Sequence, residues 1–179
     1  MKNGLALLLL IFFCFSACNS DGVRLKRKRT DEHQHITRSR IFVVPPGSAP
    51  FSQPSYFIGF MALDKSWEIS TDPVGKSVAT LDKEYSKEAL KLNKQADLLE
   101  KKKVVHPEGY HGFYVNYVET ERGDVVHLII LHADDVVMRI QGRYKAELSE
   151  SLDKPMKESI QGLYVGSFEE VREEQSPKN

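Results

Sequence analysis

Apolar residues recur along this chain in two rhythms, and the changes between them outline its elements. Ile41-Phe42-Val43-Val44 is a short apolar run ended by Pro45-Pro46-Gly47, which predicts a strand stopped by turn chemistry. Phe51–Pro54 reads as loop, and Tyr56–Met61 and Trp67–Ser70 read as strands before Asp72-Pro73 breaks the chain. From Ser77 to Asn93, the residues Val78, Leu81, Tyr85, Ala89 and Leu92 fall three or four apart, the stripe of an amphipathic helix. Four strands follow. Ala96–His106 carries Lys101-Lys102-Lys103 in its middle, the kind of charge that protects a sheet edge. Tyr110–Glu119 alternates, with Phe113, Val115 and Tyr117 on one face and Tyr114, Asn116 and Val118 on the other. Asp124–His132 is apolar almost throughout from Val125 to Leu131, as a central strand would be. Ala133-Asp134-Asp135 then makes a tight turn into Val136–Gly142. Leu148, Leu152, Met156, Ile160 and Leu163 mark a second amphipathic helix, which Pro155 either kinks or places near its start at Leu152. The pattern predicts an α+β domain, mainly antiparallel sheet packed with two amphipathic helices.

The amino end follows neither rhythm. One positive charge at Lys2 precedes an apolar run from Leu5 to Phe15, too short at about 1.5 Å per residue to span a bilayer core of roughly 30 Å. With small Ser16 and Ala17 after it, the segment has the parts of a secretory signal peptide. The run Phe15-Ser16-Ala17-Cys18 resembles the lipobox of bacterial lipoproteins, with phenylalanine where leucine is usual. That resemblance implies that the Cys18 thiol receives a diacylglyceryl group, that the leader is cut just before it, and that the new amino group is acylated. Cys14, the other cysteine, lies inside the leader, so the mature chain holds no disulfide partner for Cys18. An ordinary signal peptide is the alternative. Asn19 follows in place of the aspartate that favours inner-membrane retention, which points to the outer membrane, on its periplasmic side. The implied organisation is a signal peptide over 1–17, a flexible basic tether over 18–39, the domain over 40–168 and a disordered tail over 169–179. Arg24, Lys26, Arg27, Lys28 and Arg29 in the tether read either as a surface for anionic headgroups or as a solvated spacer.

Within the domain, "GYHGFYVNYVE", then "GDVVHLIILHADDVVMRIQGRYK", then a closing helix ending "SIQGL" resembles the PsbP/Mog-like fold. That group includes extrinsic photosystem subunits, Mog proteins and bacterial DcrB-type and LpqN-type lipoproteins. The resemblance covers roughly Ile41 to Phe168, and Gly112, Gly142 and the terminal helix are its firmest points. It implies a binding or assembly protein, with no catalytic signature to carry over.

Charge and chemistry narrow the function mainly by exclusion. Lys plus Arg and Asp plus Glu each number 25, so no global charge points to nucleic acid or an acidic substrate. No Walker loop, dinucleotide fingerprint, EF-hand or G-x-S-x-G occurs, and no cofactor is expected. His106 and His111 straddle Pro107-Glu108-Gly109 and are the metal candidates, the alternative being loop histidines and one satisfied sheet histidine. Tyr110 and Tyr114 are the recognition candidates, on a sheet face expected to be partly uncovered, with core packing as the alternative. The reading is a membrane-anchored, non-catalytic lipoprotein in the bacterial cell envelope. It holds lipid through acylated Cys18 and meets an envelope protein partner. The competing readings are an envelope hydrolase or metal-dependent enzyme using His106, Glu108 and His111, and a toxin-defence or stress lipoprotein that acts by binding.

Overall fold

The apolar run Val125–Leu131 lies at the centre of a sheet buried on both sides. In the computed structural model, residues 22–36, 38–47, 51–52, 59–106 and 108–176 are described. Phe15–Cys18, with the lipidation candidate Cys18, and Tyr56–Ile58 lie outside them. The strands are β1 (Val23–Arg24), β2 (Gln34–His35), β3 (Ile41–Val43), β4 (Phe51–Ser52), β5 (Gly59–Ala62), β6 (Trp67–Pro73), β7 (Ala96–Val105), β8 (His111–Glu119), β9 (Asp124–Ala133), β10 (Val136–Lys145) and β11 (Tyr164–Val165). The helices are α1 (Val78–Glu84), α2 (Lys87–Ala89, running into a π-turn over Leu90–Lys94), α3 (Ser149–Gln161) and α4 (Phe168–Gln175). One eight-stranded sheet has the order β1-β7-β8-β9-β10-β6-β5-β4, and a small sheet has the order β11-β3-β2. All pairings are antiparallel except β1 with β7. The protein is therefore α+β, as the alternation demanded.

Alternation along β8 and β9 sends side chains to both faces, and each face has its own cover. Tyr114, Ile129, Leu131, Ile140 and Tyr144 pack with Met156 and Ile160 of α3 and with Val23, Leu25, Ile36 and Ile41. Phe113, Val115, Tyr117, Val126, Leu128 and Ile130 pack under Leu81, Tyr85 and Leu90 of the α1–α2 layer. Two glycines set the spacing. A Cβ on Gly142 would lie 2.2 Å from Met156 Sδ, so α3 settles directly on β10 there. At Gly112 it would lie 1.8 Å from the Ile130 carbonyl oxygen of the neighbouring strand.

Several expectations are corrected. The segment read as a flexible tether supplies β1, and Val23, Leu25, His33 and Ile36 are buried. Apolar residues there are sparse, but each one finds the domain. The tail is helical from Phe168 to Gln175, because Ser167 and Glu170 form a reciprocal capping box. The single helix expected over 77–93 is divided at Ser86. Ser77 and Ser86 each accept a backbone N–H three residues on, so two helix starts compete in one stripe. Asp72-Pro73 does not break β6. Pro73 stands at the strand end opposite Met138, where its missing N–H costs the ladder little. Helix α3 begins at Ser149 and carries Pro155 inside it.

Candidate functional site

Tyr110 and Tyr114 were expected to share a recognition face, and the structure separates them. Tyr114 is fully buried. Its hydroxyl meets His127 Nδ1 at 2.8 Å, beneath α3, so it is a core residue and no part of a surface. The face expected to be open is closed by α3 and by the amino-terminal segment. Tyr110, half-buried in the β7–β8 turn, stays near the surface. Its ring stacks on His106 at 4.7 Å, and its hydroxyl reaches Asp134 Oδ1 at 3.4 Å.

Asp134 belongs to the rim of a pocket of about 550 Å³. Leu131, Ala133, Val136 and Met138 of the β9–β10 hairpin form one wall, and Val165, Phe168 and Val171 form the other. Ile41 and the loop Arg38-Ser39-Arg40 close a third side. The hairpin stands here because Asp134 takes a left-handed φ of 54°, which a tight two-residue turn requires and aspartate tolerates. Arg40 forms an ion pair with Asp134, and its guanidinium lies 4.2 Å from the Phe168 ring centre. The chain Tyr110–Asp134–Arg40–Phe168 is thus a charged rim already matched within itself. Phe168 is 74% exposed and Val136 43% exposed, so the apolar lining continues onto the surface.

The metal candidates do not assemble. His106 is buried, and its Nδ1 accepts the Glu108 backbone N–H at 3.2 Å. Burial lowers its pKa, with the Glu108 charge opposing. His111 instead meets His132 across the strands, ring centres 5.0 Å apart. Among the described residues no group of three or more His, Cys, Asp or Glu side chains is placed to hold a metal ion. Among them, too, no helix is long and apolar enough to cross a membrane.

A largely buried polar cluster around His127 is one that the sequence pattern does not reveal as a group. His127 sits between the Tyr114 hydroxyl at 2.8 Å and the Tyr144 hydroxyl at 3.4 Å, and Asp153 Oδ1 lies 3.4 Å from its Nε2. The Tyr144 hydroxyl donates to the same carboxylate oxygen at 2.9 Å. Burial pulls the His127 pKa down to about 4, against the pull of Asp153. The imidazole is therefore neutral at pH 7, and its contact with Asp153 is a hydrogen-bond arrangement in place of a full ion pair. Burial, with the Glu100 carboxylate and other nearby groups, holds the Tyr114 hydroxyl far above its ordinary range. Glu100 is itself pushed up by partial burial, but Lys102 and Lys157, each 2.6 Å away, bring it below the usual carboxylate range. The signal available in the sequence was an ionisable residue in the middle of the most apolar strand. What it lacked was the pairing that sets β10 and α3 beside it.

No family model matches the chain, and no curated protein matches it. Among solved structures it is similar to the solution structure of cyanobacterial PsbP (CyanoP) from Synechocystis sp. PCC 6803. The identity is 10% and the TM-score 0.49, over 78% of this chain and 96% of that one. A likeness of this degree concerns architecture and carries no function across.

Proposed function

We propose that the chain is a non-catalytic binding module of the bacterial cell envelope, anchored through acylated Cys18 and facing the periplasm from the outer membrane. It engages a protein partner in the pocket between the β9–β10 hairpin and α4. The observation that carries this reading is the pocket itself: a largely apolar lining of about 550 Å³ in which Arg40 and Asp134 pair with one another, and Arg38 and Asp135 add one further charge of each sign. The charges of the lining balance two against two, so association rests chiefly on burying apolar side chains, with Phe168 and Val136 as the exposed lip. The occupant is a segment of an envelope protein that presents apolar side chains. The lipobox-like Phe15-Ser16-Ala17-Cys18 supports the anchor.

The test places a photoreactive side chain at Val171 in the lipidated chain, in intact membranes. One discrete adduct is expected. It should vanish in Phe168→Glu, at a position 74% exposed and with folding checked by thermal melting, and persist when His106, Glu108 and His111 are all replaced by alanine. Cys18→Ser should leave uncleaved, lipid-free precursor by mass spectrometry and lose the adduct. An adduct indifferent to Phe168→Glu refutes the pocket. A triple variant without function beside an active unanchored chain refutes the non-catalytic reading.

A further inference from the structure

We infer that Arg24, Lys26, Arg27 and Lys28 form a fixed basic ledge that seats the domain against anionic phospholipid headgroups; this rests on the anchor at Cys18. As part of a flexible tether these charges would be solvated or adsorbed independently of the domain. They are instead built into it. Val23 pairs with Val104 and Arg24 with Val105, and the Leu25 N–H bonds to the Val105 carbonyl oxygen at 3.3 Å. The Lys26 N–H then bonds to the Leu163 carbonyl oxygen at 3.1 Å. Val23 and Leu25 point into the core, so Arg24 and Lys26 point out, and Arg27 and Lys28 are exposed beside them.

No ion pair neutralises any of these four among the described residues, whereas the next cation, Arg29, pairs with Glu174. Asp31 and Glu32 follow in the adjoining turn, yet residues 22–36 keep three net positive charges with histidines neutral. Chain length supplies the geometry. Cys18 to Val23 is five residues, which span at most about 17 Å even when fully extended. An acylated Cys18 lies at the bilayer surface, so the edge of the sheet at β1 cannot stand further off. Lysine and arginine side chains reach several ångströms from it, into the zone of about 8–10 Å where headgroup charge is still felt. The ledge therefore fixes orientation as well as attachment: the β1 edge faces the lipid.

The test uses the full chain as processed by the cell, reconstituted into vesicles of phosphatidylcholine alone or of phosphatidylcholine with phosphatidylglycerol. A water-soluble amine reagent is read by mass spectrometry at each lysine. Labelling of Lys26 and Lys28 should fall about threefold or more on the anionic vesicles only, and recover at about 0.5 M salt, while exposed Lys87 and Lys91 stay unchanged. Equal labelling of Lys26 and Lys28 on both vesicles overturns the inference. The mass of the same preparation reports acylation separately. If Cys18 carries no lipid, the anchor fails alone, and sedimentation of that chain with the anionic vesicles decides the ledge. Binding lost when all four residues become glutamine supports it; absence of binding by the parent chain overturns it.

Discussion

The buried His127 makes this fold acid-sensitive in a calculable way. Its ring is enclosed by Tyr114, Tyr144 and α3, and burial holds its pKa near about 4 against an ordinary 6.5. Above pH 6.5 both the folded and unfolded chains carry it neutral, and it contributes no pH dependence. As pH falls below 6.5 the unfolded chain binds a proton that the folded chain refuses, so stability declines until pH passes about 4. At about 1.4 kcal/mol per tenfold, the loss is about 2 kcal/mol by pH 5 and about 3 kcal/mol by pH 4. Against a typical stability of roughly 5–15 kcal/mol this is a large fraction. The assay is urea unfolding of the parent chain and His127→Gln at pH 7, 6 and 5. Glutamine keeps a polar group facing the two tyrosine hydroxyls but cannot titrate. Other acid-labile groups, including His106, are common to both chains and cancel. The variant should be less stable at pH 7, yet lose about 2 kcal/mol less between pH 7 and pH 5. Parallel pH profiles for the two chains would refute the reasoning.

Three further outcomes follow from the packing. A chain beginning at Arg40 gives up Val23, Leu25 and Ile36, each worth about 1.5–3 kcal/mol when fully buried, and should melt at least about 10 °C below one beginning at Gly22; equal melting temperatures would return the segment to a tether. Gly112→Ala should destabilise more than Gly142→Ala, by calorimetry, because its Cβ meets the Ile130 backbone whereas Gly142 meets the flexible Met156 side chain; overpacking costs of about 1–3 kcal/mol apply to the latter, and the opposite ranking would refute the argument. Tyr114→Phe should cost about 1–2 kcal/mol of stability and leave the Val171 adduct intact, while Tyr110→Phe, losing only a 3.4 Å contact, should stay within about 0.5 kcal/mol in the same unfolding assay.

The chain's periodicity determined the elements wherever one element carries its own signal. The four strands from Ala96 to Lys145 and the amphipathic helix packed on them follow from side-chain alternation and three-and-four spacing, which need no knowledge of neighbours. The hairpin at Asp134 was legible for the same reason: turn chemistry is local. Segments 22–36 and 168–175 were misread because a handful of apolar residues in a polar stretch has no periodicity. Only the partners, β7 for Val23 and the main core for Ile36, reveal that they are buried. Tyr114 shows the same limit from the other side. Alternation correctly placed it opposite Phe113, but which face meets solvent depends on what covers it, and both faces are covered here. The pocket and the His127 cluster join residues from distant parts of the chain, Arg40 with Asp134 and Tyr114 with Asp153, so their existence was decided by tertiary structure alone. Sequence specifies which side chains can bury or ionise. Whether they meet depends on strand order and on Gly142, which lets α3 approach the sheet.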